Sequence, residues 1–239
     1  MKFSVIIPVL NEQACLPAAV KSVREGIPEA ELIAVDGGSV DGSREWLAQR
    51  SGVRLIKSDC GKGVQQNTGA AHASSEVLIF LHADCQLPRD AGERLQEVLS
   101  THSIAGGCFF VRFAELQPFS LKLLALAMNL RARILRRSFG DQALFIRREV
   151  FAKIGGFPDW PLFEDYELVR RLKKFGKFAV IQSPVTISAR RFLKHGVWQT
   201  VLRVFVLQAG YYIGISPHKL KKWFEDVRPH LKRARPFSE

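Results

Sequence analysis

The feature that most constrains this chain is an alternation in its first half, where short β-branched runs are separated by stretches of helical spacing. Strands are expected at Ser4–Val9, Glu31–Val35, Val53–Lys57 and Val77–Leu81, with helices at Gln13–Arg24, Ser43–Arg50 and Val64–Ala73 between them. Such an order makes a mostly parallel sheet, because parallel neighbours need a crossover that a helix supplies. Each strand then ends in a polar loop on one edge: Asn11-Glu12, Asp36-Gly37-Gly38-Ser39, Ser58-Asp59-Cys60-Gly61 and His82-Ala83-Asp84. That carboxyl edge is where open α/β folds bind ligands.

Further along, a helix (Arg89–Ser100) and an apolar strand (Ile104–Phe113) precede a basic amphipathic helix, Phe119–Arg137, with Leu123, Leu126, Leu130 and Ile134 on one stripe. A short strand (Ala143–Ile146), a helix from Arg148, the Gly155-Gly156-Phe157-Pro158 turn and a helix over Phe163–Lys174 follow. The remainder reads as two helices, Phe192–Ile215 and Pro217–Arg228, and a basic tail. At 239 residues the chain fits one α/β domain with an appendage, and no linker marks a second folded unit. The expected organisation is one folded domain over 1–185, in two halves near 1–87 and 88–185, then a helical extension over 186–239 packed on it or on a membrane.

A formal net charge of +12 calls for an anionic partner: a phosphorylated substrate, an acidic lipid surface or a nucleic acid. No helix-turn-helix, aromatic RNA-binding strand or zinc motif is present, so a nucleic acid is not expected. Cys15, Cys60, Cys85 and Cys108 form neither a CxxC pair nor a zinc spacing, and Pro8 and Asn11-Glu12 interrupt the only signal-like run. Reduced thiols and a cytoplasmic location are expected. Val197–Ile215 comes nearest to a membrane span, but Gln199, Arg203 and Gln208 break it. Together with Phe119–Arg137 it suits peripheral docking on the anionic inner face of a membrane. The competing reading has both helices simply covering the sheet and each other.

Three constellations carry chemistry. The loop from Asp36 to Ser43 follows a strand and opens a helix, so its glycines allow close backbone approach while Asp36 accepts hydrogen bonds from a base or ribose; Asp41 reads as a helix cap. In His82-Ala83-Asp84, two potential ligands flank a small residue at the sheet edge and point the same way. A divalent cation that holds a diphosphate needs such a carboxylate, and imidazole suits Mn²⁺; the competing reading is a structural histidine at His82 and a helix cap before Pro88 at Asp84. Phe163-Glu164-Asp165-Tyr166-Glu167 opens a helix, where the carboxylates either complement the helix dipole or supply a base; spacing leaves both readings open.

Taken together, these residues resemble the family-2 glycosyltransferases, which have an A-type single α/β nucleotide-binding fold. Ser4 to Glu12 is similar to that family's first strand and loop, Asp36 to Gly42 to its nucleotide-binding turn, Gly61-Lys62-Gly63 through Asn67-Thr68-Gly69 to its next helix, and His82-Ala83-Asp84 to its Asp-x-Asp metal motif. Gly155-Gly156-Phe157 resembles the acceptor-side turn, and Glu164-Asp165 the catalytic acidic pair. The His-Ala-Asp triplet, Gly140-Asp141-Gln142 and the short chain also resemble a bacterial subgroup of small members.

The resemblance implies transfer of a sugar from a nucleotide diphosphate sugar to an acceptor hydroxyl, with inversion, and a lipid-linked acceptor follows from membrane docking. It places the donor on Pro8, Asn11, Glu12, Asp36, Gly38, Ser39, Lys62, Asn67, His82 and Asp84. Mn²⁺ or Mg²⁺ falls on Asp84 and His82, the acceptor on Asp141, Gln142, Gly155 and Gly156, and catalysis on Asp165 with Glu164. Arg147 or Arg148 is a candidate phosphate contact. Gly37 stands where the family has a second Asp, and His82 where the metal motif has its first. These departures motivate an alternative, a catalytically silent nucleotide-sugar-binding protein.

Overall fold

The structure is a computed structural model that describes residues 1–114 and 118–224. The first half alternates as expected: β1 (Phe3–Val9), α1 (Leu16–Gly26), β2 (Glu31–Asp36), α2 (Ser43–Ala48), β3 (Val53–Lys57), α3 (Lys62–His72) and β4 (Val77–Phe80). The second half holds β5 (Cys85–Gln86), α4 (Ala91–Leu99), β6 (Ile104–Phe113), α5 (Phe119–Leu135), β7 (Leu144–Arg147), α6 (Arg148–Lys153), α7 (Glu164–Leu172) and β8 (Lys177–Ile187). It closes with α8 (Arg190–His195), α9 (Val197–Tyr212) and α10 (Pro217–Phe224). The expected helix over Phe192–Ile215 is thus two helices, divided at Gly196, where φ is +80°. The remainder of the expected helix to Arg228 and the basic tail lie outside the described residues.

The sheet order is β3-β2-β1-β4-β7-β6-β8-β5. Six strands run one way, while β7 and β5 run antiparallel to their neighbours. The reversal of β7 has two consequences. Residues 140–142, which precede it, arrive at the same edge as the carboxyl ends of β1, β2 and β4. Arg147, which ends it, pairs with Val77 at the start of β4 and lies at the opposite edge. There Arg147 donates to the carbonyls of Leu99 (2.7 Å) and Ile104 (2.8 Å), and the Arg148 N–H donates to Glu76 O. The expectation that Arg147 or Arg148 meets a phosphate is therefore overturned: an antiparallel strand carries its last residues away from the ligand edge.

Strand β8 was hidden by Pro184, which removes a ladder donor and argues against a central strand. The sheet accommodates it at a register shift, where Phe109 pairs with Ile181 but Phe110 pairs with Pro184, and the Ser183 hydroxyl in the skipped segment donates to Asp90 Oδ1 at 2.6 Å. β8 also carries the sheet through Ile187, past the expected boundary at 185.

The central strands are apolar on both faces. On β1, Val5, Ile7 and Val9 enter the layer containing α1 and α4, while Ile6 enters the layer containing α3 and α6. Phe80, Phe151 and Phe157 pack ring to ring in the second layer, with centroids 4.8–5.7 Å apart. Helix α5 buries Leu121, Ala125, Met128 and Ala132, leaving the stripe of Leu123, Leu126, Leu130 and Ile134 exposed rather than on the sheet. Among the described residues, no helix is long and apolar enough to cross a membrane.

Helix α7 is held by a buried carboxylate. Glu167 accepts from Arg170 Nε and Nη2 (2.6 and 2.7 Å), Arg171 Nε (2.8 Å) and the Tyr211 hydroxyl of α9 (3.3 Å). The Arg170 hydrogen bonds, aided by Arg171 and opposed by burial, hold its carboxyl at about 2 instead of the usual 4.5. A depressed carboxyl stabilises the fold above the unfolded-state value and loses that contribution as pH falls through the folded one. Thermal stability is therefore expected to drop as pH falls from 4.5 to about 2, and Glu167→Gln to be less stable at neutral pH and shallower across that window in calorimetric scans. Packing supplies a second test. A Cβ at Gly107 would lie 2.2 Å from the Ala179 carbonyl and 2.6 Å from the Phe145 ring, so Gly107→Ala should lose about 3 kcal/mol, read as a lower urea midpoint at unchanged slope.

Candidate active site

The loops after β1 and β2 are sewn together by side chains bonding to backbone. Asn11 turns the chain with φ +55°; its N–H donates to Ser39 Oγ (3.0 Å) and its Oδ1 accepts from the Val40 N–H (2.8 Å). The Glu12 N–H donates to Ser43 Oγ (3.0 Å), and the Gln13 N–H to Asp41 Oδ2 (3.0 Å). Asp41 also accepts the N–H and hydroxyl of Ser43, so it latches two loops; Gly42 occupies the cap position expected for it. Burial raises the Asp41 carboxyl, but the bonds from Ser43 and Gln13 outweigh burial and leave it lowered. Asp36 is buried and receives the N–H groups of Gly38 (3.2 Å) and Ser39 (3.1 Å), which forms a tight turn at the end of β2.

Gln65 of α3, missed in the sequence, closes this corner. Its buried amide donates to Val9 O and Val35 O, both at 2.8 Å, bridging the ends of β1 and β2. A Cβ on Gly37 would sit 2.9 Å from the Gln65 side chain. The Gly at this position is thus a packing partner of Gln65.

The metal-type loop leaves β4 one strand away. His82, Asp84 and Cys85 bring ligand atoms within 4.8 Å of one another. Burial pushes the Cys85 thiol well above its usual value, and the Asp84 and Asp141 charges push the same way. The His82 imidazole and the Asp84 carboxylate beside it are a nitrogen and an oxygen donor that could hold a borderline divalent ion such as Mn²⁺. Arg190 arrives from the end of β8: its Nη2 donates to Glu12 Oε2 (2.7 Å) and lies 3.5 Å from Asp84 Oδ2. Arg190 is 178 residues from Glu12 in sequence, and only the unrecognised β8 brings it back.

The acidic helix start meets this loop at Gly140. Asp165 is buried and accepts the Gly140 N–H through Oδ2 and the Tyr166 N–H through Oδ1. A Cβ on Gly140 would stand 2.5 Å from His82 Nε2 and 3.1 Å from Asp165 Oδ2. Candidate base and candidate metal loop thus pack against one glycine. Glu164 is also buried, with Lys62 Nζ 3.5 Å away. Burial raises its carboxyl and Asp165 adds to the rise, while Lys62 opposes it.

Several expected residues sit at this edge in supporting positions. Pro8 lies in β1 opposite Val35. Gln142 is buried, donating to Phe109 O (3.2 Å) and accepting from Arg131 and Ser138 (both 3.2 Å), while the Asp141 carbonyl lies near the Cys85 thiol. Gly155 and Gly156 form a turn with φ of +78° and +70°. Asn67, expected at the donor, spends its amide on both polar groups of Phe157, 2.9 Å each, and so fixes that turn.

Comparison with known proteins bears on the family and the fold. Residues 4–157 match the family described as Glycosyl transferase family 2. A PGL/p-HBAD biosynthesis glycosyltransferase of Mycobacterium bovis is 32% identical over 219 residues, covering 80% of this chain and 82% of that protein. Two solved structures share the fold. The Staphylococcus aureus TarS fragment 1–349 in complex with UDP-GlcNAc has a TM-score of 0.63 at 18% identity, over 79% of this chain and 58% of that one. The mannosyltransferase PcManGT of Pyrobaculum calidifontis, in complex with GDP-Man and Mn²⁺, has a TM-score of 0.59 at 19% identity, over 97% and 70%. With the family match spanning more than half the chain and a relative above 30% identity matched over more than two thirds of its length, the chain belongs to glycosyltransferase family 2.

Proposed function

We propose that this glycosyltransferase moves a sugar from a nucleotide diphosphate donor to an acceptor hydroxyl with inversion, using Asp165 as base. The observation that carries the reading is the meeting of the His82–Asp84 loop and Asp165 at Gly140. The acceptor oxygen bonds to the anomeric carbon as its proton passes to an Asp165 carboxylate oxygen, and the bond from that carbon to the diphosphate oxygen breaks on the opposite face. Two backbone N–H groups already aim that carboxylate, so it needs little reorganisation. Arg190 and Lys62 bring positive charge to the loops that would hold the departing diphosphate. Asp84 and His82 would hold Mn²⁺ or Mg²⁺, which supplies Lewis-acid neutralisation of the leaving group when bound. Asp36, Asn11 and Ser39 line the base and ribose end, and the turn at Gly155-Gly156 faces the acceptor.

The likeness to proteins solved with UDP-GlcNAc and with GDP-Man and Mn²⁺ supports a nucleotide-sugar donor and a divalent ion. Of the two departures that motivate a silent binding protein, Gly37 has a packing reason, since a Cβ there would meet the Gln65 side chain at 2.9 Å.

The donor is expected to show in a thermal-shift panel of UDP-, GDP- and dTDP-sugars with and without Mn²⁺. One nucleotide class at about a hundred times its Kd should raise Tm by roughly 5–10 °C with Mn²⁺ present, and Asp84→Ala should abolish the rise. Asp165→Asn should keep the rise while release of nucleoside diphosphate falls about 10²- to 10⁴-fold. Turnover of Asp165→Asn at the parental rate would remove Asp165 as the base.

A further inference from the structure

Two neighbouring helices carry an apolar surface that the protein does not cover. On α5, Phe119, Leu126, Leu130 and Ile134 are 80, 63, 52 and 64% exposed. On α9, Trp198, Leu202 and Phe205 are 66, 62 and 66% exposed, and Ile213 just beyond is 78% exposed. These positions follow helical spacing, so each helix has one apolar side facing out, while α5 packs its other side on β6 and α9 packs against α7, α8 and α10. The helices adjoin: Arg137, just past α5, bonds the Tyr212 hydroxyl of α9, and Leu135 and Gln208 line one small cavity.

Neither helix can roll to hide its stripe. Asn129 of α5 exchanges both hydrogen bonds of a backbone pair with Val111 of β6, at 2.8 and 3.0 Å, and keys the helix to the sheet. Tyr211 is bonded to the buried Glu167, and Gly210 packs against Leu220 of α10, which keys α9 likewise. Monomeric proteins rarely expose contiguous apolar surface of this kind without a use for it.

Charge selects what covers it. Segments 116–140 and 168–224, which contain both helices, hold no Asp or Glu at all, against five and twelve Lys or Arg. Lys122, Arg133, Arg136, Lys194 and Arg203 are exposed around the two stripes. A second copy of this chain would bring the same positive field and be repelled. An anionic bilayer takes both features at once, with apolar side chains entering the headgroup boundary by roughly 5–10 Å and cations meeting lipid phosphates. Trp198 and Tyr212 add amphipathic rings suited to that boundary. With no helix able to span a membrane among the described residues, the contact is peripheral.

We propose that α5 and α9 form one surface that docks the protein on an anionic lipid bilayer. Tyr212 of this surface bonds the hydroxyl of Tyr166, next to Asp165, so docking holds the acceptor side of the site near the membrane plane. The docking itself stands whether or not Asp165 is the base.

The test is flotation of the full chain with vesicles of phosphatidylcholine alone and of phosphatidylcholine with a quarter phosphatidylglycerol, in low and high salt. The parent protein is expected to float with anionic vesicles at low salt, with about tenfold weaker partition on neutral vesicles or in high salt. Leu126→Glu with Phe205→Glu should lower partition at least about tenfold at unchanged melting temperature, as expected for exposed positions. Arg133→Glu with Arg203→Glu tests the charged rim independently, should the first pair lower the melting temperature. A parent that stays at the bottom with anionic vesicles at low salt overturns the proposal. So does a melting-competent variant that floats like the parent, or a parent that sediments as a dimer which Leu126→Glu dissociates.

Discussion

The site depends on one buried contact, the hydrogen bond from the Gly140 N–H to the Asp165 carboxylate. Gly140 precedes β7, and Asp165 opens α7; these elements reach the ligand edge by different routes. Since β7 runs antiparallel to β4, the chain enters it at the edge where β4 ends. The missing side chain of Gly140 lets His82 and Asp165 approach from either side. A residue with any Cβ would separate the loop that suits a cation from the carboxylate that suits a proton. Glu167 of α7 accepts the Tyr211 hydroxyl of α9, so a contact remote from the chemistry ties the helix that carries the candidate base to the helical extension.

The proposed nucleotide end is built on a different principle. Its loops are short, polar and bonded across to one another, with Asn11, Ser39, Asp41 and Ser43 acting as paired latches and Gln65 tying strand ends from behind. Loops fixed in this way lose little further freedom when a ligand arrives, which lowers the ordering cost of binding. Arg190, at the start of the helical extension, reaches Glu12 and Asp84 and so ties the extension to these loops.

Local signals made much of this legible. The β-branched runs, their spacing and the polar ends of β1, β2 and β4 located the edge, while the acidic start of α7 offered a candidate base that spacing alone could not separate from helix capping. What stayed hidden was set by distant pairing. Pro184 disguised β8 until the register shift opposite Phe109 and Phe110 accommodated it, and without β8 nothing could bring Arg190 to Asp84. The direction of β7 is likewise invisible in four residues, and it moved Arg147 to the far edge. Gln65 carried no signal because a buried amide bonding two carbonyls looks like any helix-surface glutamine. The apolar stripe of α5 was read correctly as a stripe, but hydrophobic periodicity names a face without naming what lies against it.

The central claim is that the loop after β4 and the start of α7 form one metal-assisted transfer centre. The most direct measurement is an anomalous difference map from crystals of the full chain grown with Mn²⁺ and a nucleoside diphosphate. A manganese peak bound by Asp84 and His82 is expected, with the diphosphate between it and Arg190 and the Asp165 carboxylate open toward the sugar position. A nucleotide bound with no metal at Asp84, or a peak at another carboxylate cluster, would contradict it.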